Sequence, residues 1–260
     1  MSTDDTAAKS RFDSLFYPGT QTLINFFGEK DPHKLAALER DYTMAAALDA
    51  RLFNQIKGGF DLPHMQEIHK RLFGGIYPWA GQVRDFPLFK RRPDGLVTEF
   101  ARPEEISGLN EQLREIMRET DKFKALNPEQ FVNAISRVYQ IANEMHAFRE
   151  GNGRTHRFYL ESLAEQAGYR LNFTKVDKEA WNYAASMSGR ISLDGDERLA
   201  GRIDELQRVF RHIAVPIEPM RSNAYLQGRE GGNPVQNHAK LTLADLNPSL
   251  GPTGPKPRLR

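Results

Sequence analysis

Residues 146–157 read His146-Ala147-Phe148-Arg149-Glu150-Gly151-Asn152-Gly153-Arg154-Thr155-His156-Arg157. Gly151 and Gly153 let the backbone approach a ligand closely, and a helix opening at about Asn152 would aim its unpaired N–H groups and positive dipole end at the same spot. That is a nest for an anion. Arg154 and Arg157 are three apart, so both guanidiniums are expected along one helical face, reaching toward phosphate oxygens. Glu150 is suited to a magnesium ion, which commonly binds through one carboxylate together with substrate phosphates. His146 ends the preceding segment, where an imidazole of near-neutral pKa can take a proton from an incoming hydroxyl. The combination describes phosphoryl or nucleotidyl transfer.

Outward from this stretch the chain is mostly helical in pattern. Asn127 and Pro128 start a helix in which Phe131, Ile135, Val138, Ala142 and Met145 share one face, marking a central buried element. The helix from Asn152 to about Ala167 is closed by Gly168. Asp31 and Pro32 begin another, running to about Ile56 before Gly58 and Gly59, and Leu62 to about Phe73 forms the next. Between Arg84 and Phe100 the pattern turns extended around a Pro93-Asp94-Gly95 turn, which predicts a hairpin. Helices are further expected over 103–120, 178–189 and 196–213. The reading is an all-α protein, a helical bundle with one short β-hairpin. Residues 1–30 form an irregular lead-in packed on the core, 31–214 the main domain, and 215–260 a loosely packed Pro/Gly-rich tail or the start of a truncated second module.

Composition narrows the function classes. In 260 residues, 36 basic side chains against 34 acidic ones give a formal charge of +2, too small for the overall field that marks a nucleic-acid-binding protein. The absence of cysteine excludes disulfides, zinc–thiolate sites and thiol nucleophiles. The acidic, polar start MSTDDTAAKS does not fit a Sec-type signal peptide, and no apolar run is long enough to span a bilayer. The expected folding site is the cytosol, with export by a non-Sec system as the alternative.

Residues 146–157 are similar to the signature HxFx(D/E)GNGRxxR of the Fic (filamentation induced by cAMP) family, and every fixed position is met. YPGT at 17–20, the run from Phe27 through Asp31 to Leu35, IHKRLFGGIYPWAGQVR at 68–84 and FARPEEI at 100–106 resemble the family's other landmarks in order. Ala147 departs from the proline that most members carry. The resemblance implies a Fic fold whose hairpin is a flap over the active site, and a protein adenylyltransferase that moves AMP from ATP to a Ser, Thr or Tyr hydroxyl. His146 would be the general base, Glu150 would carry Mg2+, and Gly151, Asn152 and Gly153 would hold the α-phosphate. Arg154 and Arg157 would hold the β- and γ-phosphates. Lys90, Arg91 and Arg92 in the flap would dock the target protein, with a host small GTPase as one candidate and a topoisomerase as the alternative.

The family's inhibitory helix motif (S/T)xxxE(G/N) does not occur in this sequence. The resemblance therefore implies a small antitoxin-like partner that supplies the missing glutamate in trans. Other transfers within the fold, phosphorylation or phosphocholine transfer, and a catalytically silent binding module are the rival functions. Outside the signature, His64 and His69 read as structural, Trp79 and Trp181 as core, and Phe148 as an anchor of the loop. His156, at a variable position of the motif, is expected to face solvent.

Overall fold

The computed structural model describes residues 3–53, 55–91, 97–193, 197–199, 201–217 and 239–247. Its centre is α5 (Pro128–Met145), started by a capping box in which Asn127 and Gln130 bond each other's backbone. Such a cap contributes about 1 kcal/mol. Phe131, Ile135, Val138, Ala142 and Met145 are all fully buried, as their spacing requires. Around α5 pack α4 (Ile106–Glu119), α6 (Asn152–Gln166) and α8 (Asp204–Ile213). On the far side of α6 lies α3 (Leu62–Phe73), and α2 (Pro32–Leu52) lies against α3. Gly168 takes the left-handed backbone that closes α6, with φ of 80°.

The hairpin is present as β1 (Phe89–Arg91) and β2 (Val97–Glu99), with Lys90 opposite Thr98. It is not isolated. After α7 (Lys178–Met187) the chain forms β4 (Arg190–Leu193) and β5 (Glu197–Leu199), and β4 pairs antiparallel with β2, placing Ile191 opposite Thr98. The result is a four-stranded sheet of order β1-β2-β4-β5. The helix expected over 196–213 therefore starts only at Asp204. β5 pairs with β4, which is anchored on β2 through the buried pair Ile191 and Thr98, so sheet pairing prevails over local helical preference at the start of that segment.

Two regions flanking the domain are structured in part. The lead-in contains α1 (Thr3–Asp13), whose Phe12 packs edge-on to Phe86 at 5.3 Å and near Phe16 at 5.2 Å. Of the tail, residues 239–247 are docked on the domain. Leu241 bridges Val176, and α9 (Leu243–Leu246) buries Leu246 against α7. Asn247 donates to the Tyr183 hydroxyl at 3.0 Å. A second small sheet joins β3 (Tyr169–Leu171) to β6 (Ala214–Pro216). No helix among the described residues is long and apolar enough to cross a membrane.

Candidate active site

The functional stretch is the joint between the two central helices. His146 closes α5 in the left-handed region, at φ 39° and ψ 55°. For a non-glycine residue that conformation costs on the order of 1–2 kcal/mol, so surrounding contacts must hold it. Arg84 supplies several of them. Its buried guanidinium, 4% exposed, donates from Nε to the His146 carbonyl at 2.8 Å and from Nη2 to the Met145 carbonyl at 3.0 Å. The Phe100 ring stacks on the imidazole at 3.7 Å between centroids, and His156 stands edge-on to it at 5.9 Å.

This setting keeps the His146 ring neutral. Burial pushes its pKa well below the usual histidine value, and His156, Arg84 and Lys90 disfavour a positive charge further. The Asn143 carbonyl acts in the opposite direction, although Nδ1 is enclosed without a partner of hydrogen-bond geometry. A neutral imidazole beside a cavity can accept a proton at neutral pH.

After His146 the loop is bound from every side. Phe148 is fully buried, as an anchor should be. Its N–H donates to Asn152 Oδ1 at 2.9 Å and its carbonyl accepts from Asn152 Nδ2 at 2.6 Å. The Asn152 side chain is thus turned inward as a clasp on the loop, where the sequence reading puts it on the α-phosphate. His69, packed between the Phe73 and Phe148 rings, accepts from the Gly81 N–H at 2.8 Å, which leaves its Nε2–H to donate to the Glu150 carbonyl at 3.0 Å. Burial lowers the pKa of this ring to about 4. Gly151 needs to be glycine: its φ is +80°, and a Cβ would stand 2.4 Å from Cζ of Phe73.

The joint opens on a cavity of about 250 Å³ that contains His146, Arg149, Glu150, Gly151, Asn152 and Gly153 on one side. Lys90, Thr98 and Phe100 of the hairpin and Trp181 and Ser186 of α7 face them. A larger cleft of about 630 Å³ lies between the end of α2 and α6, but it touches no residue of the 146–157 stretch. We place the chemistry in the smaller cavity, because the candidate base and the N-terminus of α6 meet there. The Glu150 carboxylate is exposed at its mouth, accepting from the Gly151 N–H at 2.9 Å. Among the described residues no three His, Asp or Glu side chains gather around a common point, so a cation here would depend on one carboxylate and on oxygens brought by a ligand.

The two arginines share the lining of another cavity, of about 580 Å³ between α2 and α6. Arg154 pairs with Glu39 of α2, lies over the Phe73 ring at 4.7 Å and passes Glu150 at 3.9 Å. Glu39 also accepts from the Tyr77 hydroxyl. Arg157 pairs with Glu161 at 3.1 Å and lies over Phe173 at 4.7 Å, its side chain 57% exposed. Each guanidinium is drawn aside by a carboxylate of its own neighbourhood, and neither reaches the wall of the His146 cavity. His156 is also misjudged by the sequence reading: it is 2% exposed and its pKa falls to about 4, chiefly by burial. The signal was available, since Asn152, His156, Tyr159 and Leu163 follow helical spacing and all are buried. In the flap, Lys90 reaches the cavity and Arg91 lies on exposed β1, while Arg92 falls outside the described residues.

Comparison with known proteins bears on this site directly. The sequence profile of the Fic/DOC family matches residues 59–164, which span the α3 landmark and the whole joint. The chain is 30% identical over 172 residues to a Salmonella typhimurium protein named "Probable protein adenylyltransferase Fic", covering 82% of it. This chain belongs to the Fic/DOC family. The fold agrees: the Fic-type structure of the BepC protein of Bartonella tribocorum, a VirB-translocated effector with bound AMPPNP, superposes with a TM-score of 0.68 at 26% identity. That superposition covers 78% of this chain and 97% of the BepC chain. The protein adenylyltransferase VbhT of Bartonella schoenbuchensis is also 30% identical over 168 residues, 65% of this chain. The chain spans only 34% of VbhT, about a third of that relative's length.

Proposed function

We propose that this chain is a protein adenylyltransferase, transferring AMP from ATP to a hydroxyl of another protein. The observation that carries the reading is the left-handed joint at His146, which puts a neutral imidazole and the N-terminus of α6 on one cavity. His146 takes the proton of the target hydroxyl; the oxygen forms a bond to the α-phosphorus as the bond to the β-phosphate oxygen breaks, and pyrophosphate leaves. The backbone N–H groups of the first turn of α6, beginning at Gly151 and Gly153, hold the α-phosphate. Asn152 acts by fixing that turn. Arg154 and Arg157 exchange Glu39 and Glu161 for the β- and γ-phosphates. Glu150 fits a magnesium ion that arrives with the nucleotide: its carboxylate is exposed, and no group of three His, Asp or Glu side chains among the described residues would hold a cation without the nucleotide's own oxygens. When bound, the ion would neutralise charge on the departing phosphates.

The target protein docks by adding a strand. Both edges of β2 are taken, by β1 and β4, which leaves β1 as the edge beside the cavity, with Lys90 and Arg91 on it. Arg92 extends that basic run in the sequence. A host small GTPase is the candidate target, reached by a secretion system of the kind that translocates the Bartonella effectors. A small antitoxin-like protein restrains the enzyme by offering a glutamate that displaces Glu161 from Arg157. Co-expression with such a protein should give a complex without transfer activity.

The reaction is tested by incubating the chain with magnesium and cell lysate in two arms, one with α-labelled and one with γ-labelled ATP. Label on protein in the α arm alone is expected. Label from the γ arm would mean phosphorylation, and no protein label in either arm would leave a binding module.

A further inference from the structure

Arg84 is a buried arginine whose neighbours are carbonyls. Besides His146 and Met145, its guanidinium donates from Nη1 to the Phe86 carbonyl at 2.7 Å and from Nη2 to the Ala101 carbonyl. Its backbone N–H donates to the Ala147 carbonyl at 2.9 Å. Phe86 lies just before β1 and Ala101 just after β2, so the two feet of the hairpin and the end of α5 are tied to one planar group. Five N–H groups in a rigid fork can serve several carbonyls at once, which a flexible ammonium cannot match in geometry.

The group also stays charged. Burial lowers its pKa to about 10, with Glu105 opposing from a distance, so at neutral pH a cation sits at the C-terminal end of α5 where carbonyl dipoles favour it. That position adds to the forces that keep the neighbouring imidazole uncharged. The other charged or titratable groups facing His146 are His156 from α6 and Lys90 from β1, with Arg149 and Glu150 on the same cavity.

We propose that Arg84 is a positioning residue of the transfer reaction, fixing the left-handed turn at His146 and locking the flap to it, so that target docking and the base share one mechanical reference. The proposal rests on the transferase reading for its rate consequence, but its geometry does not. It accounts for a costly feature: a buried guanidinium is retained where an apolar side chain would fill the space with less desolvation. Together with the pairing of β2 to β4, the Arg84 fork holds the short flap at a fixed height over the imidazole.

The test uses Arg84→Gln, which removes the charge, and Arg84→Lys, which keeps the charge but loses the fork. The His146 ring is followed by NMR titration in histidine-labelled protein, and transfer by α-labelled ATP. In Arg84→Gln the His146 ring should titrate at higher pH than in the wild type, because a like charge has been removed. In Arg84→Lys the titration should stay close to the wild type, while kcat falls by about 10²-fold, the scale of a 1 Å misplacement, at nearly unchanged KM for ATP. Superimposable titration curves for Arg84→Gln and wild type, or wild-type kcat in Arg84→Lys, would overturn the proposal. Should Arg84→Gln fail to fold, Arg84→Lys decides alone. Absence of protein label in the wild type would sink the transferase reading, whereas the titration would still judge the charge and placement of Arg84.

Discussion

The loop joining α5 to α6 and the hairpin across from it face the same cavity and are built by opposite rules. In the loop the backbone is held from several sides: Asn152 clasps both backbone groups of Phe148, His69 holds the Glu150 carbonyl, and Gly151 lies where Phe73 admits no side chain. In the hairpin the strands are three residues each, β4 backs β2 alone, and β1 is exposed along its whole length. Chemistry needs atoms placed within a fraction of an ångström, so it rests on backbone that is held from several directions. The proposed recognition of a second protein needs unused hydrogen-bonding capacity, which an edge strand offers.

The sharpest way to break this contrast is on the loop side. Gly151→Ala asks for left-handed backbone and drives a Cβ to 2.4 Å from the Phe73 ring. Transfer should fall by about 10²-fold or more, and the melting temperature should drop by several degrees. A variant that melts and transfers like the wild type would show that the loop is not fixed in the way described.

On the hairpin side the effect should be smaller and selective. Lys90→Glu combined with Arg91→Glu should weaken modification of the protein target by roughly tenfold at low salt, and by less as ionic strength rises, because exposed charges are screened. Labelling of the chain itself should change much less. Equal losses in both assays would mean that the hairpin serves the nucleotide site and not the target.

A third difference is in proton binding. His69 and His156 lie on the loop side, buried and neutral, with pKa values of about 4. In the unfolded chain each would titrate near 6.5, so between about pH 6.5 and 4 the unfolded state binds more protons and stability declines on acidification. Urea midpoints measured across that window should fall with pH, and His156→Phe should reduce the slope. An unchanged slope in that variant would mean that the ring is protonated in the fold.

Much of the loop was legible in sequence, because its residues sit next to one another and the helical periods on both sides are clean. Phe131 to Met145 declare the buried face of α5, and Gly151 and Gly168 mark the turns on either end of α6. What escaped is what depends on distant partners. Glu39 lies 115 residues from Arg154 and redirects it, and nothing local announces that pair. Glu161, by contrast, is one turn from Arg157 and could have been read as its partner. Of the β4–β5 hairpin the helical pattern covers only β5, a three-residue strand whose partner β4 is itself paired with β2, nearly a hundred residues earlier. Arg84 was visible only as the last letter of a landmark; its five carbonyl partners come from three separate stretches of backbone.

The claim on which the rest depends is that His146 takes the proton from the attacking hydroxyl while other groups hold the nucleotide. ATP affinity and single-turnover AMP transfer, measured on one preparation of His146→Ala beside the wild type, test it most directly. The expected result is ATP binding within about twofold of wild type and transfer slower by about 10²-fold or more, the usual scale for losing a general base. Transfer at a near-wild-type rate with intact ATP binding would contradict the account.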